Sequence, residues 1–245
     1  MNKGYVCCLI FSVVVTAMVS SNAHALGWFG ETIDGVPCQG NGQSFGPFDY
    51  LEVISTTDRN LINSARLWEV DTIHYGRGVR YMESGIDNIS LERAWHEFDY
   101  TLRAFPNHAL ALRDLIQLEI ERLNTNKRTN QSLPPLRTPP ECYLQRAEVF
   151  RPDQEHIPLL YGIYYYRLGK YKEAEIQYNR AISINPNNPE SHYNLGLLLM
   201  RLGRYQEALE HAREAYALNY PLDALKQQLI SAGVWTDTNG EAHPK

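Results

Sequence analysis

Apolar residues in the second half of this chain fall at helical spacing, and the pattern then recurs as a block. Leu159, Ile163 and Tyr166 stand at i, i+4 and i+7, and Tyr193, Leu197 and Met200 repeat that stripe one block later. Residues 155–222 lie on themselves when shifted by 34. Gly162/Gly196, Arg167/Arg201, Leu168/Leu202, Gly169/Gly203, Tyr171/Tyr205, Glu173/Glu207, Ala174/Ala208, Ala181/Ala215 and Asn185/Asn219 then coincide. Self-similarity at a fixed period of this length predicts stacked supersecondary units. Each unit reads as two helices joined at Gly169 or Gly203, where a left-handed helix end is easiest for glycine. Glycine inside a helix costs about 1 kcal/mol relative to alanine. Gly162 and Gly196, with Ala174 and Ala208 opposite, therefore predict places where the two helices of a unit approach closely.

The same template extends backwards with less regularity. Residues 75–108 fit it through Ala94, Phe98 and Pro106, and residues 91–104 form an amphipathic helix. Residues 109–154 begin with a strongly apolar helix to about Leu123, and a second helix with Leu144, Ala147 and Phe150 resumes near Glu141. Between them, 124–140 reads as an insertion that Pro134, Pro135, Pro139 and Pro140 keep from being helical. After the last unit, 221–233 predicts a capping helix, with Pro221 in its first turn and Leu222, Leu225, Leu229 and Ile230 on one face, and 234–245 a tail. Residues 26–74 are different. Glycines and aromatics alternate through 26–50, which predicts an extended segment packed on the repeats, or else a binding loop. Leu61, Ile62, Ala65 and Trp68 predict a helix from about Asn60.

The chain has 245 residues, 44% of them hydrophobic, enough for a substantial core. Its first 25 residues change the picture. Lys3, the apolar run 5–19 and Ala23-His24-Ala25 read as a secretory signal cut after Ala25. An uncleaved anchor is the alternative, although the run is shorter than the roughly 20 residues a spanning helix needs. Cleavage implies a periplasmic or secreted protein with no integral membrane span. Two cysteines then remain, Cys38 and Cys142, which in an exported protein suggest a disulfide between the N-terminal segment and the repeats; two free thiols are the alternative. The net charge of -5 supplies no basic footprint, so no nucleic-acid partner is expected.

Tyr161-Gly162, Tyr165, Ala174, Tyr178, Ala181 and Pro186, and equally Leu195-Gly196, Leu199, Ala208 and Ala215, resemble the tetratricopeptide-repeat family. Ala212 stands where the family pattern has a large aromatic, and Pro221 is displaced by one residue. The resemblance implies an all-α, right-handed superhelical solenoid of helix-turn-helix repeats with an irregular N-terminal segment. It also implies that the first helix of each pair faces a concave groove. That groove would be lined by Leu159, Ile163 and Tyr166, then by Tyr193, Asn194, Leu197, Met200 and Arg201, with Arg113 and Gln117 extending it. Six apolar positions in a solvent-facing stripe call for a cover, either a protein or peptide partner or the chain's own aromatic segment. A clamp for C-terminal carboxylates would have only Asn194, Arg167 and Arg201 to draw on.

Reactive chemistry has no comparable signal. His74, His96, His108, His156, His192, His211 and His243 show no metal-ligand spacing with a cysteine, and His96-Glu97 lacks the second histidine of H-E-x-x-H. No catalytic residue, metal or cofactor is therefore expected. Glu92, Glu97 and Asp99 beside Arg93 read as a solvated helix face, and Asn88-Ile89-Ser90 and Asn130-Gln131-Ser132 match the glycosylation sequon. The expected function is non-enzymatic: a protein-interaction module, scaffold or assembly factor for an envelope or secreted complex. An enzyme or enzyme accessory with its site in residues 26–60 is the alternative, and a self-associating structural solenoid is a third reading.

Overall fold

The computed structural model describes residues 26–42, 45–129 and 132–235. Residues 1–25, which carry the expected signal, Asn130 and Gln131 of the second sequon, and residues 236–245 lie outside them. The chain forms α1 (Tyr50–Ser55), α2 (Arg59–Ser64), a π-helical stretch (Trp68–Tyr75) that runs into α3 (Gly76–Glu83), α4 (Asn88–Ala104), α5 (Ala109–Thr129), α6 (Pro140–Phe150), α7 (His156–Arg167), α8 (Tyr171–Ile184), α9 (Pro189–Arg201), α10 (Tyr205–Ala217) and α11 (Ala224–Ser231). Each helix from α3 onward packs on its neighbours in sequence, so the fold is an all-α solenoid. Among the described residues the only strand-like pairing is an isolated bridge between Glu31 and Pro37.

The helix ends follow from local chemistry. Gly169 and Gly203 take φ of +77° and +75°. At the first, the N–H of Gly169 donates to the Tyr166 carbonyl (3.0 Å) and that of Lys170 to the Tyr165 carbonyl (2.9 Å). The same pair of bonds closes α9 at Gly203-Arg204 and α10 at Asn219-Tyr220, where Asn219 takes the left-handed conformation at φ 62°. Inside the repeats the small residues accommodate large partners. A Cβ on Gly162 would come within 2.4 Å of the Tyr178 ring. One repeat later Ala212 stands in place of that aromatic, and the space over Gly196 is filled by Leu225 of α11, whose Cδ2 would be 2.5 Å from a Cβ there. The cap therefore supplies the side chain that the last repeat lacks.

Several sequence expectations shift. The helix expected from Asn60 is broken after Ser64 by Arg66, which has a φ of 49°, so Trp68 starts a separate stretch and is 68% exposed. α5 continues past Leu123 to Thr129, because its extra turns hold the insertion: Asn126 pairs with both backbone groups of Leu133 (2.8 and 3.2 Å), and Leu133 and Leu136 are buried. Pro221 precedes α11 rather than lying in its first turn. Asp99 is not solvated. It is 1% exposed and accepts from Tyr143 Oη (2.7 Å), Asn41 Nδ2 (2.8 Å) and Arg103 Nε (3.0 Å).

The N-terminal segment is an ordered strap. Cys38 is bridged to Cys142 in α6, across 104 residues of sequence. Around the bridge, Gln145 exchanges two bonds with the Glu31 backbone (3.1 and 2.7 Å) and Glu141 accepts from the Ile33 N–H (2.9 Å). Trp28 stands edge-on to Tyr143 at 5.0 Å. Further on, the Phe48 N–H donates to the Ala104 carbonyl (2.8 Å), and Asp49 is held by Asn107 (2.7 Å) and by Arg151. Beneath the strap, Arg146 is 1% exposed and donates to the carbonyls of Leu102 (2.7 Å), Arg103 (3.3 Å) and Leu26 (3.3 Å). Burial lowers its pKa to about 10.

Candidate interaction groove

The first helices of the last two repeats, α7 and α9, carry the predicted stripe, and the structure divides it. Leu159 and Tyr193 are covered, at 4% and 5% exposure. Tyr193 lies with its ring 4.4 Å from that of Tyr220, just before the cap, and burial raises the pKa of Tyr193 and pushes that of Tyr220 up to about 12. Ile163, Tyr166, Leu197 and Met200 remain half-buried, each resting on the core shared by α7 to α11 and presenting the rest of its surface. The i, i+4, i+7 spacing thus identified one helix face, but not the part of it that later residues cover.

The polar groups along this face are committed locally. Asn194 donates to the Glu190 carbonyl of its own helix (2.9 Å), and Gln117 donates to Glu121 (2.7 Å). Arg113 is paired with Asp114 (3.0 Å). Arg201 donates through Nε to Tyr171 Oη (3.2 Å), a bond that raises its pKa, and the Tyr171 ring lies 5.8 Å from that of Tyr166. Arg167 is exposed at the end of α7. These groups make a polar edge around an apolar strip, not a convergent cage.

The strap leaves this strip uncovered. Its disulfide, ring contacts and long-range hydrogen bonds reach α4, α6 and the loops that flank them, with Tyr50 stacked on His108 at 3.9 Å where α5 begins. α4 and α6 are the second helices of their pairs, whereas the stripe lies on first helices. The suggestion that the aromatic segment lies over Ile163, Tyr166, Leu197 and Met200 is therefore not what the structure contains.

Two other places were candidates. Residues 46–50 are engaged in holding the strap: Asp49 caps α1 and binds Asn107 and Arg151, and Tyr50 stacks on His108, meets Phe105 edge-on at 5.5 Å and donates to Asp71 (3.3 Å). A cavity of about 280 Å³ lies where Pro134, Pro135, Leu136 and Arg137 meet Leu91 and Trp95 of α4. Trp95, in its lining, donates to the Thr138 carbonyl (3.2 Å). Among the described residues no helix is long and apolar enough to cross a membrane.

A family model described as TPR repeat matches residues 162–203, and one described as tetratricopeptide repeat matches 189–221. A crystal structure of MamA protein aligns with a TM-score of 0.44 at 17% identity, covering 67% of this chain and 81% of that one. A structure of MamA from residue 41 to its end, from Desulfovibrio magneticus RS-1, aligns with a TM-score of 0.41 at 18% identity, covering 67% of this chain and 87% of that one. No curated protein matches the chain.

Proposed function

This chain is a tetratricopeptide-repeat protein, and from that premise we propose that it is a non-enzymatic scaffold that holds a segment of a partner protein on the face of α7 and α9. The observation that carries the reading is the strip of Ile163, Tyr166, Leu197 and Met200. It is in register over two repeats, half-exposed, and left open by a strap fixed to α4 and α6, which belong to the two preceding pairs. A strip of this kind suits an extended or helical segment with apolar side chains at regular spacing. The partner is a protein or peptide; the chain's negative charge offers nothing to a nucleic acid.

An envelope or extracellular setting belongs to the same proposal. It is supported by the Cys38–Cys142 bridge, which oxidising compartments maintain, and by the signal-like first 25 residues. The reading of residues 26–60 as an enzyme site has no observation in its favour; Asp49 and Tyr50, at its centre, hold the strap in place.

Affinity capture from the native envelope fraction tests the proposal. Ile163→Ala with Leu197→Ala should remove the captured partner while leaving circular dichroism unchanged. Ile176→Ala, on the exposed face of α8 (64% exposed), should leave capture intact. Capture that survives the first variant, or is lost equally in the second, rules the strip out.

A further inference from the structure

One contact in the final repeat lies outside the repeat pattern. His192 of α9 and His211 of α10 meet with their Nδ1 atoms 3.0 Å apart and ring centroids at 5.3 Å. Their counterparts 34 residues earlier are Pro158 and Gln177, and the Gln177 Oε1 is buried without a partner. The repeat therefore does not need a polar pair at this point, yet here both helices supply an imidazole.

The protons can be assigned. His192 is 7% exposed, and its Nε2 lies 3.0 Å from the Pro186 carbonyl, which can only accept. Nε2 therefore carries the hydrogen, and in the neutral ring Nδ1 is a lone pair aimed at His211. A backbone carbonyl on the far nitrogen is the support that orients a metal-ligating imidazole. The spacing fits as well. Two nitrogens bound to one ion at ~2.0–2.1 Å are about 2.9–3.4 Å apart in octahedral or tetrahedral geometry.

We propose that His192 and His211 form a two-histidine site for a divalent first-row ion of the Zn²⁺ type, which joins α9 to α10 in the last repeat. Imidazole suits this class of ion. On binding, the His211 hydrogen moves from Nδ1 to Nε2 of the same ring, and both Nδ1 lone pairs turn to the metal with no net loss of a proton. No group of three His, Cys, Asp or Glu able to hold an ion occurs among the described residues. Water completes the shell.

The test is a Zn²⁺ titration of the purified protein followed by the imidazole NMR resonances. One equivalent should shift His192 and His211 and no other ring. His211→Gln should weaken Zn²⁺ affinity at least tenfold with unchanged circular dichroism, whereas His96→Gln, at an exposed histidine, should leave affinity unchanged. Resonances of the pair that do not move with stoichiometric Zn²⁺ overturn the proposal, as does a His211→Gln protein that binds like the parent. If that variant does not fold, the resonances of the unaltered protein decide alone.

Discussion

The two halves of this solenoid are held together in different ways. From α7 to α11 the interior is apolar, built from Ala174, Ala181, Ala208, Ala212 and Ala215 set against Tyr178, Leu195, Leu198, Leu199 and Leu225, and the buried polar residues are Ser191 and His192. Before α7 the interior also holds Asp99, Asn107, His108, Asp114, Glu119, Arg122, Glu141, Arg146 and Gln154. The regular half rests on size matching, which tolerates graded change. The irregular half rests on directional bonds between charged or polar groups, where removing one partner strands the other. A disulfide and a strap accompany the second design and are missing from the first.

The largest effect should come from the bridge. Cys38→Ser with Cys142→Ser removes a constraint over 104 residues, worth about 4–5 kcal/mol in the loop-entropy account. Hydrogen exchange should lose protection in the strap and α6 and keep it in α8 to α10. Equal loss everywhere would mean that the halves unfold as one unit and that the comparison is only descriptive. Next is Asp99→Asn, which keeps the shape but replaces a charge that three donors address; a loss of about 2–3 kcal/mol in denaturant unfolding is expected.

In the regular half, Gly162→Ala places a Cβ against the rigid Tyr178 ring and should cost about 1–3 kcal/mol. Gly196→Ala meets the flexible end of Leu225 at close range and the Ala208 carbonyl only at an ordinary contact distance of 3.5 Å, so its thermal unfolding should change less. The smallest effect is that of pH at the seam. Burial lowers the pKa of His156, whose Nε2 faces the Asn107 carbonyl at 3.2 Å. The unfolded chain then binds more protons than the folded one. The stability from this group is complete above the ordinary value of about 6.5 and is lost as pH falls from there through the folded value. Unfolding followed between pH 7.5 and 5.5 should show this slope in the parent and a flatter one in His156→Gln.

What the sequence made legible tracks the same division. The 34-residue period, the glycines at the helix ends and the apolar stripe are short-range patterns, and the structure places Gly169 and Gly203 at positive φ as their positions require. The missing aromatic at Ala212 was visible too, but the side chain that replaces it comes from Leu225, beyond the repeat. The burial of Asp99 is not legible from its own helix, because its surroundings arrive from Asn41 and Tyr143, 58 and 44 residues away. The same holds within the stripe, where Tyr193 looks like a groove residue until Tyr220 is seen against it. His192 and His211 are 19 residues apart and match no ligand spacing, so only the packing of α9 on α10 brings them together.

The bridge between Cys38 and Cys142 also governs what a break in the chain can do. The second part of the strap, α1 to α5 and the proline-rich loop lie between its two sulfurs. A single peptide cut anywhere in that span opens a ring rather than dividing the molecule. Both pieces stay covalently joined, running as one species without reductant and as two with it, and α7 to α11 keep their attachment to the severed part.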